Sequence, residues 1–267
     1  MTGVSETTDD LRVERDGGTL RVTFNRPAAH NAMTFAMYQG LYDACERADS
    51  EDGIRAMVLR GAGGKAFVSG TDIGQFAGFD GAAGLAYEQR ITRVLRRLED
   101  VTVPTVAAIQ GYCVGGGLAL AASCDLRLAT TSSRFGIPTA RTLGNCLAMH
   151  TYALLLSHLG PSRTLDMLLR ARMLTAEQAH AVGFVAELVD ADGTDGSALD
   201  DALERTLDTL AGHAPLTMWA TKQALVRLRR ANLPPGDDLT ERVYGSADFA
   251  EAVRLFGTGQ RPEWTGT

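Results

Sequence analysis

The chain has 267 residues, 45% of them hydrophobic and 22% charged, which is the composition of an ordinary water-soluble globular protein. Its net charge of −6 argues against a nucleic acid as partner. The first ten residues, MTGVSETTDD, have neither the basic region nor the apolar run of a signal peptide, and they predict a disordered tail over residues 1–10. No uninterrupted apolar stretch has membrane-spanning length, so no membrane partner is expected.

The cysteines and histidines give little indication of redox or metal chemistry. Cys45, Cys113, Cys124 and Cys146 lack CxxC spacing and fall within apolar patterns, which predicts reduced core thiols in a cytoplasmic protein. The five histidines contain no pair four residues apart, so no metal site is expected.

The first hundred residues predict alternating strands and helices. Apolar runs at 11–14 and 20–24 flank Asp16-Gly17-Gly18, which is typical of a β-hairpin. Helical spacing of apolar residues predicts one helix over 34–48, capped by Thr34, and another over 85–98. Strands are predicted at 54–59 and from residue 65 into a turn at Gly70. The glycine-rich segment 74–84 is expected to be a mobile loop.

The stretch from residue 101 to residue 130 is the predicted centre of the domain. A β-branched run at 105–110 is followed by Gly115, Gly116 and Gly117, then by an alanine-rich helix over 118–123 and a second strand at 126–129. The helix has little side-chain bulk, so neighbouring layers can enclose it. Glycines at its start leave the free N–H groups of the first turn uncovered, and such groups can bind an oxyanion.

The rest of the chain divides into a mixed part and a helical part. Helices are predicted over 146–159, from Pro161 and from Thr175, followed by a strand at 185–189 and a polar linker at 190–197. From residue 198 onwards the pattern is helical only. The repeated strand-strand-helix order predicts an α/β fold, with a core over residues 11–195 and an all-helical region over 196–267.

The helical region has more apolar residues than a small region can bury alone, which predicts an oligomer assembled through these helices. These residues are Leu225, Leu228, Leu239, Val243, Phe249, Val253 and Leu255.

Two predicted turns each leave a backbone N–H just after a strand. One belongs to Thr71, which follows Gly70, and the other to Gly116 within the glycine run. Two such donors pointing at one carbonyl oxygen stabilise the enolate that forms when a proton leaves the carbon next to a thioester, and each is typically worth ~3 kcal/mol. The pattern therefore indicates an oxyanion hole made by these two amides.

Four segments resemble a known family, the crotonase or enoyl-CoA hydratase/isomerase superfamily. Residues 25–32 (NRPAAHNA) are similar to its N-R-P-x-x-x-N-A segment, and residues 65–73 (KAFVSGTDI) to its A-F-x-A-G-x-D-I loop. Residues 108–117 (AIQGYCVGGG), with Cys124-Asp125, match its glycine run and C-D pair. Residues 246–251 (SADFAE) and Arg261-Pro262 resemble its C-terminal ending. The matches follow the order of the family from residue 11 to residue 264.

This resemblance implies a core of repeated ββα units and a helical C-terminal region that forms a homotrimer or a dimer of trimers. It implies an acyl-CoA thioester as substrate, held between the amides of Thr71 and Gly116, with no cofactor besides the coenzyme A of the substrate. The residues assigned by the resemblance to substrate binding are Ala29, His30, Ser69, Gly70, Thr71, Asp72, Ile73 and Gly116.

Two positions depart from the family's hydratases, which have one glutamate two residues after the glycine run and another in a G-x-P-E segment. Here these positions are Ala119 and Thr139. Hydration needs a base to activate water and an acid to protonate the α-carbon. An alanine methyl does neither, and a threonine hydroxyl does not ionise near neutral pH. Standard two-glutamate hydration is therefore not expected.

Other side chains must then carry the proton. The candidates are Tyr87 and Glu88, on the helix after segment 74–84, with Arg141, Asn145 and His150 beyond them. For each residue, the alternative is a surface or capping role.

We therefore predict an acyl-CoA-binding enzyme that forms a thioester enolate by other chemistry, with a lyase or isomerase outcome. Two alternatives stay open at this point. One is a catalytically inactive acyl-CoA-binding or scaffold protein, and the other is a weak enoyl-CoA hydratase whose water is held by Thr139.

Overall fold

A computed structural model describes residues 9–190 and 197–267 of the chain. The strands are β1 (Leu11–Asp16), β2 (Thr19–Phe24), β3 (Ala56–Gly61), β4 (Ala66–Val68), β5 (Thr105–Ile109), β6 (Tyr112–Val114), β7 (Leu126–Thr130), β8 (Arg134–Gly136), β9 (Leu174–Thr175) and β10 (Glu187–Val189). The helices are α1 (Phe35–Ser50), α2 (Gly81–Asp100), α3 (Gly116–Ser123), α4 (Thr139–Thr142), α5 (Met149–Leu169), α6 (Ala176–Ala181), α7 (Ser197–Ala211), α8 (Pro215–Arg230), α9 (Asp237–Tyr244) and α10 (Ala247–Leu255).

Local sequence signals explain several of these boundaries. Gly17 has a φ of +57° in the two-residue turn that joins β1 and β2, a conformation that glycine adopts without strain. The side chain of Thr34 accepts a hydrogen bond from Met37 N at 3.2 Å and caps α1 as predicted. Gly160, with a φ of +71°, interrupts α5, so the predicted new helical segment does begin at Pro161.

The strands form two sheets that share a repeated unit. The larger sheet has the order β1-β2-β3-β5-β7-β10 and is parallel apart from the β1–β2 hairpin. The smaller sheet has the order β4-β6-β8-β9, with β4, β6 and β8 parallel. Three times in succession, the chain passes from a strand of the large sheet to a strand of the small one and then into a helix. The expected strand-strand-helix repeat is therefore confirmed.

Helix α3 lies at the centre of the protein, as its composition predicts. From Gly117 to Ser123 every residue is buried. A Cβ at Gly117 would lie 2.1 Å from the carbonyl oxygen of Val68, so only glycine permits this approach of α3 to β4.

The loop predicted over 74–84 is confirmed only for residues 77–80. The segment contains the end of a 3₁₀ helix (Ile73–Phe76) and the first turn of α2, which Asp80 caps by accepting a hydrogen bond from Ala83 N at 2.8 Å. Gly84 serves close packing, since a Cβ there would lie 2.2 Å from Cβ of Tyr244 on α9. Strand β6 and helix α4 were not expected from the sequence pattern either.

The C-terminal helices pack onto the rest of the chain. Leu199, Leu203 and Leu207 of α7 are buried against the outer face of the large sheet, and α9 lies along α2. Leu225 and Leu228 on α8 are 61% and 75% exposed, so the predicted oligomer remains a prediction. The predicted tail falls mainly on residues 1–8 and the predicted division on residues 191–196, both outside the described residues.

Candidate active site

Two turns after strands of the small sheet place backbone amides side by side. Gly70 and Gly115 have φ values of +110° and +57°, and each is followed by an amide that donates to no backbone carbonyl among residues 9–190 and 197–267. These amides belong to Thr71 and Gly116. A Cβ built on Gly70 would lie 3.9 Å from Gly116 N, so the two turns are in contact. Residues 30–33 hold the first turn, because Met33 N donates to Gly70 O at 2.8 Å.

A cavity of about 250 Å³, named here the amide-lined cavity, has Thr71 and Gly116 among its lining residues. Its apolar wall is formed by Ile73, Phe76, Ile91, Ile137, Leu143, Leu147 and Phe256. The predicted site residues Ser69, Gly70, Thr71, Ile73, Tyr87, Glu88, Gly116, Ala119, Thr139 and Asn145 also line this cavity. The fold thus brings most of the predicted site residues together around one apolar space.

The hydroxyl of Thr71 lies between two tyrosine hydroxyls. Its Oγ1 is 2.9 Å from the hydroxyl oxygen of Tyr38 and 2.7 Å from that of Tyr87. Burial raises the pKa of Tyr38 to about 12, and burial also raises the pKa of Tyr87 well above its ordinary value, with the Tyr38 and Glu88 charges adding to it. Both phenols therefore stay protonated at neutral pH and are available as hydrogen-bond donors.

Glu88 places a buried carboxyl in the lining of the cavity. Its side chain is buried on α2, where Oε1 accepts a hydrogen bond from the Tyr244 hydroxyl at 2.7 Å and Oε2 accepts one from Ala148 N at 3.0 Å. Asn145 in turn donates to the Tyr244 oxygen at 3.2 Å. Burial raises the pKa of Glu88 to about 7, although both hydrogen bonds favour its charged form. This carboxyl therefore changes charge near neutral pH.

Glu88 also borders a second, larger cavity of about 870 Å³ on the other side of α2. Arg93, Arg96 and His150 are among the residues around this outer cavity. Glu88 is the one described residue that lines both spaces. The carboxyl thus stands in the wall between the amide-lined cavity and a separate polar space.

A third cavity of about 310 Å³ shares Ser69, Val114 and Pro138 with the amide-lined one and forms its mouth. His30 and Arg141 line this mouth and are exposed. Arg141 does not line the amide-lined cavity, so the structure places it away from the group of acid–base candidates inside.

Three further predicted residues lie outside the amide-lined cavity. Ala29 ends the 3₁₀ helix Pro27–Ala29 and lines none of the three cavities described above. Asp72 accepts hydrogen bonds from Arg26 Nη1 at 2.9 Å and from Gly74 N at 3.1 Å, which makes it a structural residue of the turn.

His150 is 2% exposed, and its Nε2 lies 3.3 Å from Oε1 of Glu99. Glu99 also pairs with Arg229 at 2.7 Å. His150 lines the outer cavity and not the amide-lined one, so the structure places this proton-relay candidate away from the acid–base candidates inside.

Comparison with known proteins identifies the family. The family model described as enoyl-CoA hydratase/isomerase matches residues 14–266, nearly the whole chain. The chain belongs to the enoyl-CoA hydratase/isomerase family. Among curated relatives of this family member, the (E)-benzylidenesuccinyl-CoA hydratase of Thauera aromatica is 32% identical over 249 residues, covering 92% of this chain and 94% of the relative. The 2,3-dehydroadipyl-CoA hydratase of Escherichia coli is 31% identical over 261 residues, covering 96% and 99%.

Solved structures agree with this placement. An enoyl-CoA hydratase/carnithine racemase from Magnetospirillum magneticum aligns with a TM-score of 0.78 at 32% identity, covering 98% of this chain and 97% of that one. The expected crotonase-like α/β fold is confirmed, and this member of the enoyl-CoA hydratase/isomerase family is an enzyme. In the described part of the chain, no helix combines the length and apolarity that crossing a membrane requires.

Sequence analysis of this family member missed Tyr38 and Tyr244. Tyr38 falls on the apolar stripe of α1, a pattern that predicts a core residue, and it is completely buried, but its hydroxyl contacts Thr71. Tyr244 lies 156 positions from Glu88, and no local pattern connects the two. A tyrosine at a core position is the available signal, because a buried phenol needs a hydrogen-bond partner.

Proposed function

We propose that this enzyme removes the α-proton of a bound acyl-CoA thioester and stabilises the resulting enolate. The amides of Thr71 and Gly116 hold the thioester oxygen, and Glu88 takes the proton. One observation carries the assignment: among the described residues that line the amide-lined cavity, Glu88 is the only carboxyl or imidazole group. No other described group at that wall has the chemistry of a general base near neutral pH.

The surroundings of Glu88 suit it to this role. A general base works best when its pKa is close to the operating pH, and burial raises the pKa of Glu88 to about 7. At neutral pH a large fraction of the carboxyl is ionised, and each carboxylate is more basic than an exposed one. The hydrogen bonds from Tyr244 and Ala148 fix its orientation.

The two amides supply the electrostatic part of the reaction. They are held by the backbone turns at Gly70 and Gly115, so no reorganisation is needed when negative charge develops on the oxygen. The apolar wall excludes water, which strengthens these hydrogen bonds. A thioester oxygen placed between them receives ~3 kcal/mol from each donor in the transition state.

A single acid–base group favours proton transfer over hydration. Hydration of an enoyl thioester needs one group for water and another for the α-carbon. Ala119 and Thr139 line the cavity without an ionisable side chain. We therefore assign the enzyme to enolate chemistry with a lyase or isomerase outcome, set by the acyl group.

The shape of the site orients the ligand. The acyl chain enters the apolar cavity, and the coenzyme A portion leaves through the mouth between His30 and Arg141. Arg141 then contributes a positive charge to binding of the anionic coenzyme, and it takes no part in proton transfer.

Exchange of the α-protons with solvent deuterium tests this function without knowledge of the true product. Butyryl-, isobutyryl- and phenylacetyl-CoA, as short, branched and aromatic acyl groups, are incubated with the enzyme in D₂O, and deuterium in the acyl group is measured by mass spectrometry. Wild type is expected to exchange at least one of them. Glu88→Gln is expected to lower the rate by at least about 10²-fold while acyl-CoA binding is retained.

Glu14→Gln is the matched control, because Glu14 is an exposed glutamate on β1 and is not among the residues that line the cavity. It is expected to exchange at the wild-type rate. If wild type exchanges none of the three acyl groups, the acyl-CoA-binding or scaffold protein replaces the enzyme as the better hypothesis. If Glu88→Gln exchanges as fast as wild type, the base is another group.

A further inference from the structure

Three hydroxyl groups from three separate elements meet beside the two amides. Tyr38 lies on α1, Thr71 follows β4, and Tyr87 lies on α2, and both hydrogen bonds of the group pass through Thr71 Oγ1. A Cβ at Gly116 would lie 2.6 Å from the Tyr38 oxygen and 3.6 Å from Thr71 Oγ1. The hydroxyl cluster therefore borders the second amide as well as the first.

The number of protons in this cluster exceeds the number of its hydrogen bonds. Three hydroxyls carry three protons, and the two bonds use two of them. Tyr38 is completely buried, and of the two hydroxyls that interact with its own, those of Thr71 and Tyr87, the Thr71 hydroxyl is the one at hydrogen-bonding distance, 2.9 Å. An unpaired buried O–H is costly, so Tyr38 donates to Thr71. The spare proton then belongs to Thr71 or Tyr87, which both line the cavity.

Polarisation of one hydroxyl by the next decides whether Thr71 or Tyr87 carries the spare proton. In a head-to-tail chain, each hydroxyl that accepts a hydrogen bond becomes a better donor to the next. The order Tyr38 to Thr71 to Tyr87 is such a chain, and it leaves a free O–H on Tyr87, which is one of the residues that line the cavity. If Tyr87 donated to Thr71 instead, Thr71 would accept two bonds and this gain would be lost.

We propose that the Thr71 hydroxyl, held by Tyr38, is a positioning group that turns the Tyr87 O–H into a third hydrogen-bond donor for the thioester oxygen. The proposal rests on the function proposed above and assigns Tyr87 as a donor, leaving Glu88 as the base. Thr71 then acts twice, through its amide on the ligand and through its hydroxyl on Tyr87.

The electrostatics of the cluster agree with this assignment. Burial raises the pKa of both tyrosines, and the Glu88 carboxylate raises them further by its charge. A phenol that keeps its proton is a donor and not a base. Negative charge on the thioester oxygen makes the third hydrogen bond stronger in the enolate than in the ground state, so it acts mainly on turnover.

Thr71→Val tests the proposal, because valine keeps the amide and the shape of threonine and removes only the hydroxyl. We expect kcat for deuterium exchange to fall about 10- to 100-fold with KM changed less than about threefold, as for one hydrogen bond to a charged group. Thr71→Ser restores the hydroxyl and is expected to recover the rate to within about threefold of wild type. Tyr87→Phe is expected to lower kcat for deuterium exchange by as much as Thr71→Val does.

The double variant separates positioning from a structural effect. If Thr71 acts through Tyr87, then Thr71→Val combined with Tyr87→Phe is no slower than Tyr87→Phe alone. If the fold loss in rate of the double variant equals the product of the losses of the two single variants, the proposal is overturned. Full activity in Thr71→Val would also overturn it, because the Thr71 hydroxyl would then contribute nothing to the Tyr87 donor.

A spectroscopic measurement keeps this test independent of turnover. In difference infrared spectra of bound butyryl-CoA with a ¹³C-labelled thioester carbonyl, a third donor lowers the C=O stretching frequency. Thr71→Val and Tyr87→Phe are expected to raise that frequency equally, and Thr71→Ser to leave it as in wild type. This pattern in an enzyme that exchanges no α-proton would support the third donor while contradicting the proposed function. An unchanged frequency in both variants would contradict the third donor itself.

Discussion

The wild-type protein is expected to lose stability as the pH rises, because of Glu88, and Glu88→Gln is expected to remove this loss. Burial raises the pKa of Glu88 from 4.5 to about 7 in the folded protein. Between these values the unfolded chain has released the proton and the folded chain still holds it, so the free energy of unfolding falls as the pH rises. Below about pH 4.5 both states are protonated, and above about pH 7 the folded protein carries the full cost of the buried charge.

The size of this effect follows from the shift in pKa. A rise from 4.5 to about 7 corresponds to about 3 kcal/mol, at about 1.4 kcal/mol per unit. Glutamine has no charge to bury at any pH. The free energy of unfolding of Glu88→Gln, measured relative to wild type, is therefore expected to increase by about 3 kcal/mol between pH 4.5 and pH 8. Loss of the hydrogen bond to Ala148 or Tyr244 offsets this difference by a constant and leaves its slope unchanged.

Urea unfolding at a series of pH values and one fixed protein concentration measures the difference. Glu14→Gln serves as the control for replacing a carboxylate by an amide at an exposed site, and it is expected to follow wild type throughout. A Glu88→Gln difference that stays flat from pH 4.5 to pH 8 would refute the reasoning, because the buried carboxyl would then ionise in the folded protein as readily as in the unfolded chain.

Three more outcomes are expected. Thr71→Pro removes the Thr71 hydroxyl together with one amide that makes no backbone hydrogen bond in the described fold, and it should lower deuterium exchange about 10²- to 10³-fold below Thr71→Val with circular dichroism unchanged. Exchange at the Thr71→Val rate would exclude that amide. Hydration of crotonyl-CoA by wild type should be at least ~10³-fold slower than by a two-glutamate family hydratase, and rapid hydration would show that Ala119 and Thr139 had been misjudged. Light scattering at micromolar concentration should give a trimer or a dimer of trimers, because α8 exposes Leu225 and Leu228, and a monomer would contradict this.

Much of the fold follows from local chemistry in the sequence. The hairpin, the Thr34 cap and the break before Pro161 each depend on residues within a few positions of one another, and the structure contains all three. The two amide turns follow in the same way from Gly70 and the glycine run. Segment 74–84 differs, because Gly84 packs against Tyr244 of α9, 160 positions away, and a contact at that separation leaves no local signal.

The acid–base part of the site depends on long-range contacts and was harder to predict. Glu88 on a charged helix is compatible with a solvent-exposed position, and only the approach of Tyr244 and Ala148 makes it buried and hydrogen-bonded. Tyr38 fits a core stripe equally well with or without a polar role. The sequence therefore named Glu88 among several candidates, and the three-dimensional contacts separated it from His150 and Arg141.

The most direct test of the proposed mechanism is a crystal structure of the enzyme with butyryl-CoA bound. We predict that the thioester oxygen lies about 2.7–3.1 Å from the backbone nitrogens of both Thr71 and Gly116, and that the α-carbon lies about 3–3.5 Å from a carboxyl oxygen of Glu88. A thioester oxygen remote from both nitrogens, or an α-carbon beyond the reach of Glu88, would contradict the mechanism.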